Sequence, residues 1–379
     1  MTWRVPLFKI LSDEADVKAV SQIIKSGLNW ATGSEVADFE KELAKYVGVK
    51  YAAAFNSGTS ALHALLLALH IGKGDEVIVP SFTFIATANA VLFVGAKPVF
   101  AEIEGETYGL DPKDVEKKIT KRTKAIMPVH FGGGACKYIL ELRKLAKKHK
   151  LLLLEDAAES LGATVGGKYV GSFGYAAMIS LCAPKVISTG EGGVIVTNSR
   201  DLYEKLKLLR SHGRADTKDY FATTEYLDYI QLGYNFRLSN ILAALGRTQL
   251  EKIEKLIAMR RKNSAYLTKQ LKGVPGISLP IEPKGYRHIY QMYTIQTKNK
   301  KVRDALQKHL NQKGIMAKVY FPSIHLSKFY RKMGHKSGSL PKTEGLSNIV
   351  LTLPMYPELT KSQMDFMAKE IKSFFNGQE

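Results

Sequence analysis

The sequence predicts an α/β fold in which a large domain, a sheet covered by helices, precedes a smaller α+β domain. Between residues 50 and 198 short apolar runs alternate with helical patterns, which is typical of α/β layers. The four leucines at 151–154 show no polar alternation, as in a strand covered on both faces, although a buried helix has the same pattern. A preceding helical pattern that ends in lysines favours the strand.

The elements of the large domain follow from these patterns in chain order. Helices are predicted at residues 61–69 and 137–148. Strands are predicted at residues 51–55, 76–80, 97–103, 123–129, 151–155 and 194–197.

The second domain is predicted from a change of pattern after residue 250. A long helical pattern at 241–257 leads to a segment with Gly273, Pro275 and Gly276, which is typical of a hinge. We therefore expect residues 1–250, including the N-terminal segment, to form the large domain and residues 251–379 the small C-terminal domain. The small domain has predicted strands at 292–296 and 316–320 and a predicted helix at 302–313.

The composition indicates a cytoplasmic protein. No apolar run approaches the ~18–20 residues of a membrane span, and residues 1–9 lack the features of a signal peptide. The two cysteines, Cys136 and Cys182, are too few and too far apart for a disulfide framework or a zinc site. This cysteine usage fits a reducing compartment, and we expect no metal and no membrane partner.

The net charge of +20, from 55 Lys and Arg against 35 Asp and Glu, is the unusual bulk property. Such a charge attracts anions of many kinds, including nucleic acid and phosphorylated substrates. In the densest basic stretch, residues 113–150, the basic residues alternate with apolar ones, as on solvated helix faces. We therefore interpret the charge as a lysine-rich surface and expect no nucleic-acid partner.

The segment at residues 56–60 is the first candidate site. It contains Gly58, Thr59 and Ser60 and lies between a predicted strand and a predicted helix. Free N–H groups at a helix N-terminus, together with hydroxyls, form a phosphate cradle. The alternative is that the hydroxyl residues only cap the helix.

Asp156 and Lys185 complete the candidate constellation. Asp156 follows a predicted strand, where open α/β sheets place ligands, and its carboxylate could keep the ring nitrogen of pyridoxal phosphate (PLP) protonated. The alternative is an N-cap of the next turn. Lys185 precedes the Gly-rich segment 189–193, and a poorly solvated lysine loses its proton and attacks an aldehyde to form an imine. The order of phosphate loop, acid and lysine predicts a PLP enzyme.

Several longer motifs extend this pattern, among them GDEVIVPSFTF at 74–84, EDAAES at 155–160, GYNFR at 233–237 and YFPSIHL at 320–326. With these motifs the chain resembles the DegT/StrS sugar aminotransferases, a family of fold-type I PLP enzymes. The resemblance covers nearly the whole chain. Its further segments are 32–33, 56–63, 128–130, 189–193 and 210–213.

The resemblance implies a large domain with a mixed, mostly parallel sheet covered by helices, and it assigns roles to single residues. It implies that Lys185 is the catalytic residue and carries the Schiff base, and that Asp156 binds the pyridine nitrogen. The other implied cofactor contacts are Gly58, Thr59, Ser60 and Ser180 at the phosphate, Phe84 on the ring, Glu159 beside the cofactor, and Asn235 on the phosphate of the neighbouring subunit's PLP. Tyr320 and His325 are implied to approach the substrate.

Three of these residues have simpler interpretations. Phe84 could be core packing, Glu159 could lie on a solvated helix face, and Asn235 could cap a turn. The chain also departs from the family pattern, with Tyr175 in place of an aspartate, Leu181 to Pro184 in place of aromatic residues, and a different stretch at 130–134. Pro184 fixes φ and lacks an N–H, so we expect a local change in the approach to the lysine.

Together these observations predict a homodimeric aminotransferase with shared active sites. By resemblance, an amino-acid donor, glutamate, supplies the amino group, and a nucleotide-linked keto deoxy sugar receives it. One alternative is a PLP-dependent sugar dehydratase, in which a histidine replaces the lysine that this chain keeps as Lys185. The other is a non-catalytic regulatory or nucleic-acid-binding protein, which the charge permits but the complete set of PLP residues disfavours.

Overall fold

The computed structural model describes residues 3–215 and 223–377. The strands are β1 (Tyr51–Phe55), β2 (Glu76–Pro80), β3 (Lys97–Ala101), β4 (Thr123–Ile126), β5 (Leu152–Asp156), β6 (Thr164–Val165), β7 (Lys168–Tyr169), β8 (Ala176–Ser180), β9 (Gly193–Thr197), β10 (Ile277–Ser278), β11 (Tyr286–Arg287), β12 (Tyr293–Thr297) and β13 (Val350–Leu353).

The helices cover both faces of the main sheet and pack on the smaller one. They are α1 (Glu14–Ser26), α2 (Ser34–Val47), α3 (Gly58–Ala68), α4 (Ala86–Phe93), α5 (Pro112–Lys118), α6 (Ile139–Lys148), α7 (Arg200–Arg210), α8 (Asn240–Glu251), α9 (Ile253–Leu271), α10 (Lys300–Gln312), α11 (Lys328–Lys332), α12 (Pro341–Ile349) and α13 (Lys361–Asn376).

The main sheet has seven strands in the order β1-β9-β8-β5-β4-β2-β3. Strand β9 is antiparallel to both of its neighbours, and the other adjacent pairs, from β8 to β3, are parallel. The sheet is therefore mixed and mostly parallel, which confirms the predicted fold class. Because β1 and β8 are each antiparallel to β9, they run in the same direction as each other.

The strands are buried on both faces because alternate side chains point to opposite sides of a sheet. In β1, Ala52 and Ala54 pack in one core cluster, while Ala53 and Phe55 pack in another. All five residues of β2 are buried, as are all five of β9. Such near-continuous apolar strands are expected where helices cover both faces.

The predicted strands at 51–55 and 76–80 coincide with β1 and β2, and the four leucines enter β5, whose last residue is Asp156. Strands β3 and β4 end earlier than predicted. After β4 the chain stays beside its neighbours: the Met127 N–H donates to the Ile78 carbonyl, the Asp156 N–H donates to the Pro128 carbonyl, and an isolated parallel bridge pairs Val129 with Asp156. The helical pattern at 241–257 divides into α8 and α9, and Lys252 between them binds Asp16 through its ammonium group.

The C-terminal part contains a three-stranded antiparallel sheet in the order β10-β12-β13. The predicted strand at 316–320 is wrong. This segment pairs with β13 through Lys318 and Thr352 and then leaves the sheet edge, so that Lys318 and Tyr320 line a cavity instead. Val5, from the start of the chain, packs in the same apolar cluster as β12 and β13. The domain division near residue 250 stays a prediction.

Within the described ranges, none of the helices combines the length and the apolar composition that crossing a membrane requires.

Candidate active site

Four segments meet at the carboxyl edge of the main sheet, because the parallel strands end there together. Strand β1 leads into the start of α3, and β2 leads to Phe84. Strand β5 ends in Asp156, and β8 leads into the loop that carries Lys185. A cavity of about 360 Å³ lies at this edge and is lined by residues from all four segments. Its volume is within the usual range for small-molecule sites.

Asp156 is buried beneath the cavity, with 3% of its surface exposed. Its Oδ2 accepts a hydrogen bond from the Thr87 hydroxyl at 2.7 Å, and its Oδ1 accepts one from the Ala158 N–H at 3.1 Å. Burial raises the pKa of the Asp156 carboxyl, and these two hydrogen bonds oppose that effect. A carboxylate in such a position is stabilised by a cationic partner, which a protonated pyridine nitrogen provides.

Lys185 lies in the loop between β8 and β9, with its side chain 15% exposed. The loop is held by backbone hydrogen bonds from Ala183 to Gly190 and from Lys185 to Cys182. The Lys185 Nζ lies 3.5 Å from Glu159 Oε1. The amine is thus poorly solvated, lies beside a carboxylate and borders the cavity, as a Schiff-base lysine requires.

Glu159 is buried, so it does not lie on a solvated helix face. Its Oε2 accepts a hydrogen bond from the Gly132 N–H at 2.9 Å, and its Oε1 faces Lys185. The unusual stretch at 130–134 does not line the cavity itself, but through Gly132 it holds this carboxylate in place. Phe84 is 61% exposed and lines the cavity, so it is not a core residue.

The start of α3 has the geometry that was expected of an anion site. Ser57 is the N-cap, and its Oγ accepts a hydrogen bond from the Ser60 N–H at 3.0 Å. Gly58 and Thr59 line the cavity, and their N–H groups belong to the first turn, where the helix provides no acceptors. Strand β9 passes very close, because a Cβ on Gly193 would lie 2.5 Å from the Gly58 nitrogen. This approach requires glycine at position 193.

The remaining predicted residues divide between the cavity and other places. Ser180 and Tyr320 line the cavity. The Ser60 hydroxyl instead contacts the Ser57 hydroxyl at 2.9 Å. Asn235 is exposed and lies outside the cavity lining of its own chain.

His325 is fully buried and lies outside the cavity lining. Its Nδ1 is 2.6 Å from the Ser81 hydroxyl, and its Nε2 is 3.2 Å from Glu344 Oε1. Burial lowers the pKa of this imidazole, and the contact with Glu344 opposes the shift. The structure therefore places His325 as a link between the end of β2 and helix α12, without contact to the cavity.

Sequence reasoning assigned no role to several polar residues of the site. Thr87 binds Asp156 from helix α4, while Gln291 and Lys318 line the cavity from the C-terminal part. No motif marks these positions. The one sequence signal was the resemblance of the neighbouring segments, 74–84 and 320–326, which border two of them.

A second cavity of about 630 Å³ lies between the start of α2 and helix α7. It is lined by Gly33, Lys207, Arg210 and Arg237 among others, and it contains none of the predicted cofactor residues. Although it is larger, it contains neither Lys185 nor Asp156, so we assign the chemistry to the smaller cavity.

An anion site, a buried acid and a poorly solvated amine around one cavity fit PLP, and on this fold they define a PLP-dependent enzyme. The model of the DegT/DnrJ/EryC1/StrS aminotransferase family matches residues 11–372, and the chain belongs to this family. It is therefore a PLP-dependent aminotransferase.

Relatives of known name and structure are similar along almost their whole length. The GDP-perosamine synthase of Vibrio cholerae is 36% identical over 374 residues, which cover 98% of this chain and 99% of the relative. A UDP-N-acetyl-3-dehydro-alpha-D-glucosamine 3-aminotransferase of Acidithiobacillus ferrooxidans is 37% identical over 347 residues, 91% and 90% of the two chains. The crystal structure of S. venezuelae DesV with a ketimine intermediate is 35% identical, with a TM-score of 0.90 and coverage of 98% and 99%.

Proposed function

We propose that the protein transfers an amino group from an amino acid, glutamate, to a keto group of a nucleotide-linked deoxy sugar. The observation that carries the proposal is the placement of the Lys185 amine 3.5 Å from Glu159, at a cavity that Asp156 also lines. The names of two relatives, a GDP-sugar enzyme and a UDP-sugar enzyme, support a nucleotide-linked substrate. The positive net charge favours a diphosphate-bearing substrate but does not select one.

Four parts of the chain would hold the cofactor. The first turn of α3 and Ser180 would bind the phosphate, Asp156 would bind the ring nitrogen, Phe84 would cover the ring, and Lys185 would attach to the aldehyde. When bound, PLP supplies an aldehyde for the amine and an electron-withdrawing ring.

The residues of the chain supply the proton transfers and the charge stabilisation. The Asp156 carboxylate favours a proton on the ring nitrogen. Lys185 would be the covalent anchor of the cofactor, and its Nζ, when not attached, would move a proton to and from the substrate carbon. Glu159, fixed by the Gly132 N–H, stabilises the ammonium form of Lys185 between these transfers. Low exposure of Lys185 limits exchange of that proton with water.

The proposed reaction predicts two separable half-reactions. Protein loaded with PLP and treated with glutamate should form pyridoxamine phosphate, which mass spectrometry detects. Addition of nucleotide-linked keto sugars should then yield an amino sugar and regenerate PLP. Formation of pyridoxamine phosphate distinguishes an aminotransferase from a non-catalytic homologue. Loss of a hydroxyl from the sugar without gain of nitrogen would instead show a dehydratase and contradict the proposal.

We further propose a homodimer in which Asn235 reaches the cofactor phosphate of the partner subunit. Asn235 is exposed, and the nearby Tyr229, Ile230 and Leu232 are large exposed apolar residues, as expected of a surface that a second copy covers. Helix α8 is capped by Ser239, whose Oγ accepts from the Leu242 N–H, so Asn235 is not needed for this cap.

Mixed dimers test this arrangement. In a dimer of one Lys185→Ala subunit and one Asn235→Ala subunit, shared sites leave one site with both defects and the other with none. We therefore expect activity to return to about half that of an equal amount of wild-type dimer, although each parent variant is nearly inactive. Homodimers of each variant, mixed only after assay quenching, serve as controls. Verified mixed dimers that stay inactive would show that Asn235 serves its own subunit.

We also propose a cytoplasmic location. Cys136 is buried, Cys182 is partly exposed, and both are free thiols, which a reducing compartment preserves. Fractionation of cells that express the tagged protein would test this proposal.

A further inference from the structure

Gln291 connects the two segments in which the chain departs from its family pattern. It lies between β11 and β12, is 5% exposed and lines the cavity together with Lys185. Its backbone passes close to the glycine stretch at 132–134: Gly133 has a φ of +104°, and a Cβ there would lie 2.5 Å from the Gln291 nitrogen. The glycines therefore allow this segment to reach the active site.

The orientation of the Gln291 amide follows from its neighbour. The Nε2 group donates a hydrogen bond to the Pro184 carbonyl, immediately before the catalytic lysine. A carbonyl oxygen can only accept, so the NH₂ group of the amide must face Pro184 and the Oε1 atom must face away from it. Among the described residues, this buried Oε1 has no hydrogen-bond partner. A buried carbonyl oxygen without a donor is costly, so a partner from outside the chain is expected.

The chemistry of the two substrates indicates which of them donates the hydrogen bond to Gln291 Oε1. The carboxylates of glutamate only accept hydrogen bonds, and its amine is the group that reacts, so glutamate has no spare donor for Oε1. The hydroxyls of a sugar can donate. We propose that Gln291 is a specificity-determining residue whose Oε1 accepts a hydrogen bond from a hydroxyl of the keto sugar. This inference rests on the proposed function and deepens it.

The inference predicts an effect on one half-reaction alone. In the Gln291→Met variant the glutamate half-reaction, followed by the absorbance change of the bound cofactor, should stay within about twofold of wild type. The sugar half-reaction should fall about tenfold in kcat/KM, the loss expected for one hydrogen bond. Gln296→Met is the matched control, because the Gln296 side chain binds Gly105 and Tyr108 outside the cavity. It should leave both half-reactions within about twofold.

Deoxy analogues of the keto sugar identify the hydroxyl. Wild type should lose about tenfold in kcat/KM on the analogue that lacks the contacted hydroxyl, and Gln291→Met should treat this analogue and the parent sugar alike. Gln291→Leu repeats the test with a second side-chain shape. The wild-type comparison needs no variant, so equal rates on the parent sugar and on every deoxy analogue would refute the inference even if both variants fail to fold.

Several outcomes would overturn the inference. One is a wild-type enzyme that reacts equally with every deoxy analogue, which would assign Oε1 to a water molecule. Another is a Gln291→Met variant that keeps the full preference for the hydroxyl. A third is an equal loss in the glutamate half-reaction, which would give Gln291 a purely structural role at Pro184. If wild type forms pyridoxamine phosphate but aminates no keto sugar, the proposed function fails, and the inference fails with it.

Discussion

Replacement of Lys185 by alanine is expected to remove the covalent attachment of PLP and to lower transamination by at least about 10²–10⁴-fold, the contribution of acid–base catalysis alone. In the proposed mechanism the same amine is the covalent anchor and the group that moves the proton, so we expect no other residue of the cavity to compensate. Borohydride reduction of wild type followed by peptide mapping should place the cofactor on Lys185.

Lys318→Ala is the matched control for this experiment, because Lys318 is the other lysine that lines the cavity in the described part of the chain. The cofactor should remain on Lys185 in that variant, and the Lys185→Ala protein should carry no reducible label. A label on Lys318, or on any other lysine of the PLP-saturated wild-type protein, would refute the assignment.

Asp156→Asn is expected to keep PLP attached to Lys185 while lowering transamination by about 10²–10³-fold, similar to the loss of one preorganised electrostatic group in other enzymes. A neutral amide of the same shape no longer favours a proton on the ring nitrogen. The cofactor content is measured by absorbance after alkaline release, and the rate by single-turnover reaction with glutamate. A variant with wild-type turnover would contradict the role of Asp156.

A pH profile of Thr87→Val refines this prediction. The Thr87 hydroxyl donates to Asp156 Oδ2 and lowers the pKa of the carboxyl against the effect of burial. Without this donor the pKa rises, so the carboxylate takes up a proton at a higher pH than in wild type. The acidic limb of the glutamate half-reaction should therefore move to higher pH, while the rate on the plateau changes little. A shift of the acidic limb toward lower pH would show that the Thr87 hydroxyl does not lower the pKa of the Asp156 carboxyl.

The site residues that could be predicted are those next to strand ends. Asp156 follows an apolar run that was predicted as a strand, and Lys185 lies in a loop beside the predicted strand at 194–197, so both were expected next to strand ends. Strand β8, which leads into the lysine loop, was not predicted. Thr87 and Gln291 could not be predicted, because their contacts depend on how α4 and the 288–292 segment pack against distant parts of the chain. Local periodicity contains no information about such contacts.

The wrong strand at 316–320 has a similar cause. The residue pattern of this segment predicts a strand, but a strand also needs a hydrogen-bonded neighbour along its length. This segment pairs with β13 at Lys318 and then departs toward the cavity. His325, which was predicted to approach the substrate, lies outside the cavity lining. Its motif lies in the segment that borders the cavity, but the side chain turns into the protein interior, where Ser81 and Glu344 satisfy both ring nitrogens.

Strand β9 lies between β1, which leads to the start of α3, and β8, which leads to the loop that carries Lys185. In the sheet, Gly193 pairs with Phe55 on one side and with Ser180 on the other, so two strand spacings, roughly 10 Å, separate the ends of β1 and β8. Backbone hydrogen bonds maintain this distance and do not depend on the side chains at 182–184. Leu181 is buried in the core, but the partly exposed positions 182–184 can be re-engineered, or can drift in evolution, while the spacing of the strands stays the same.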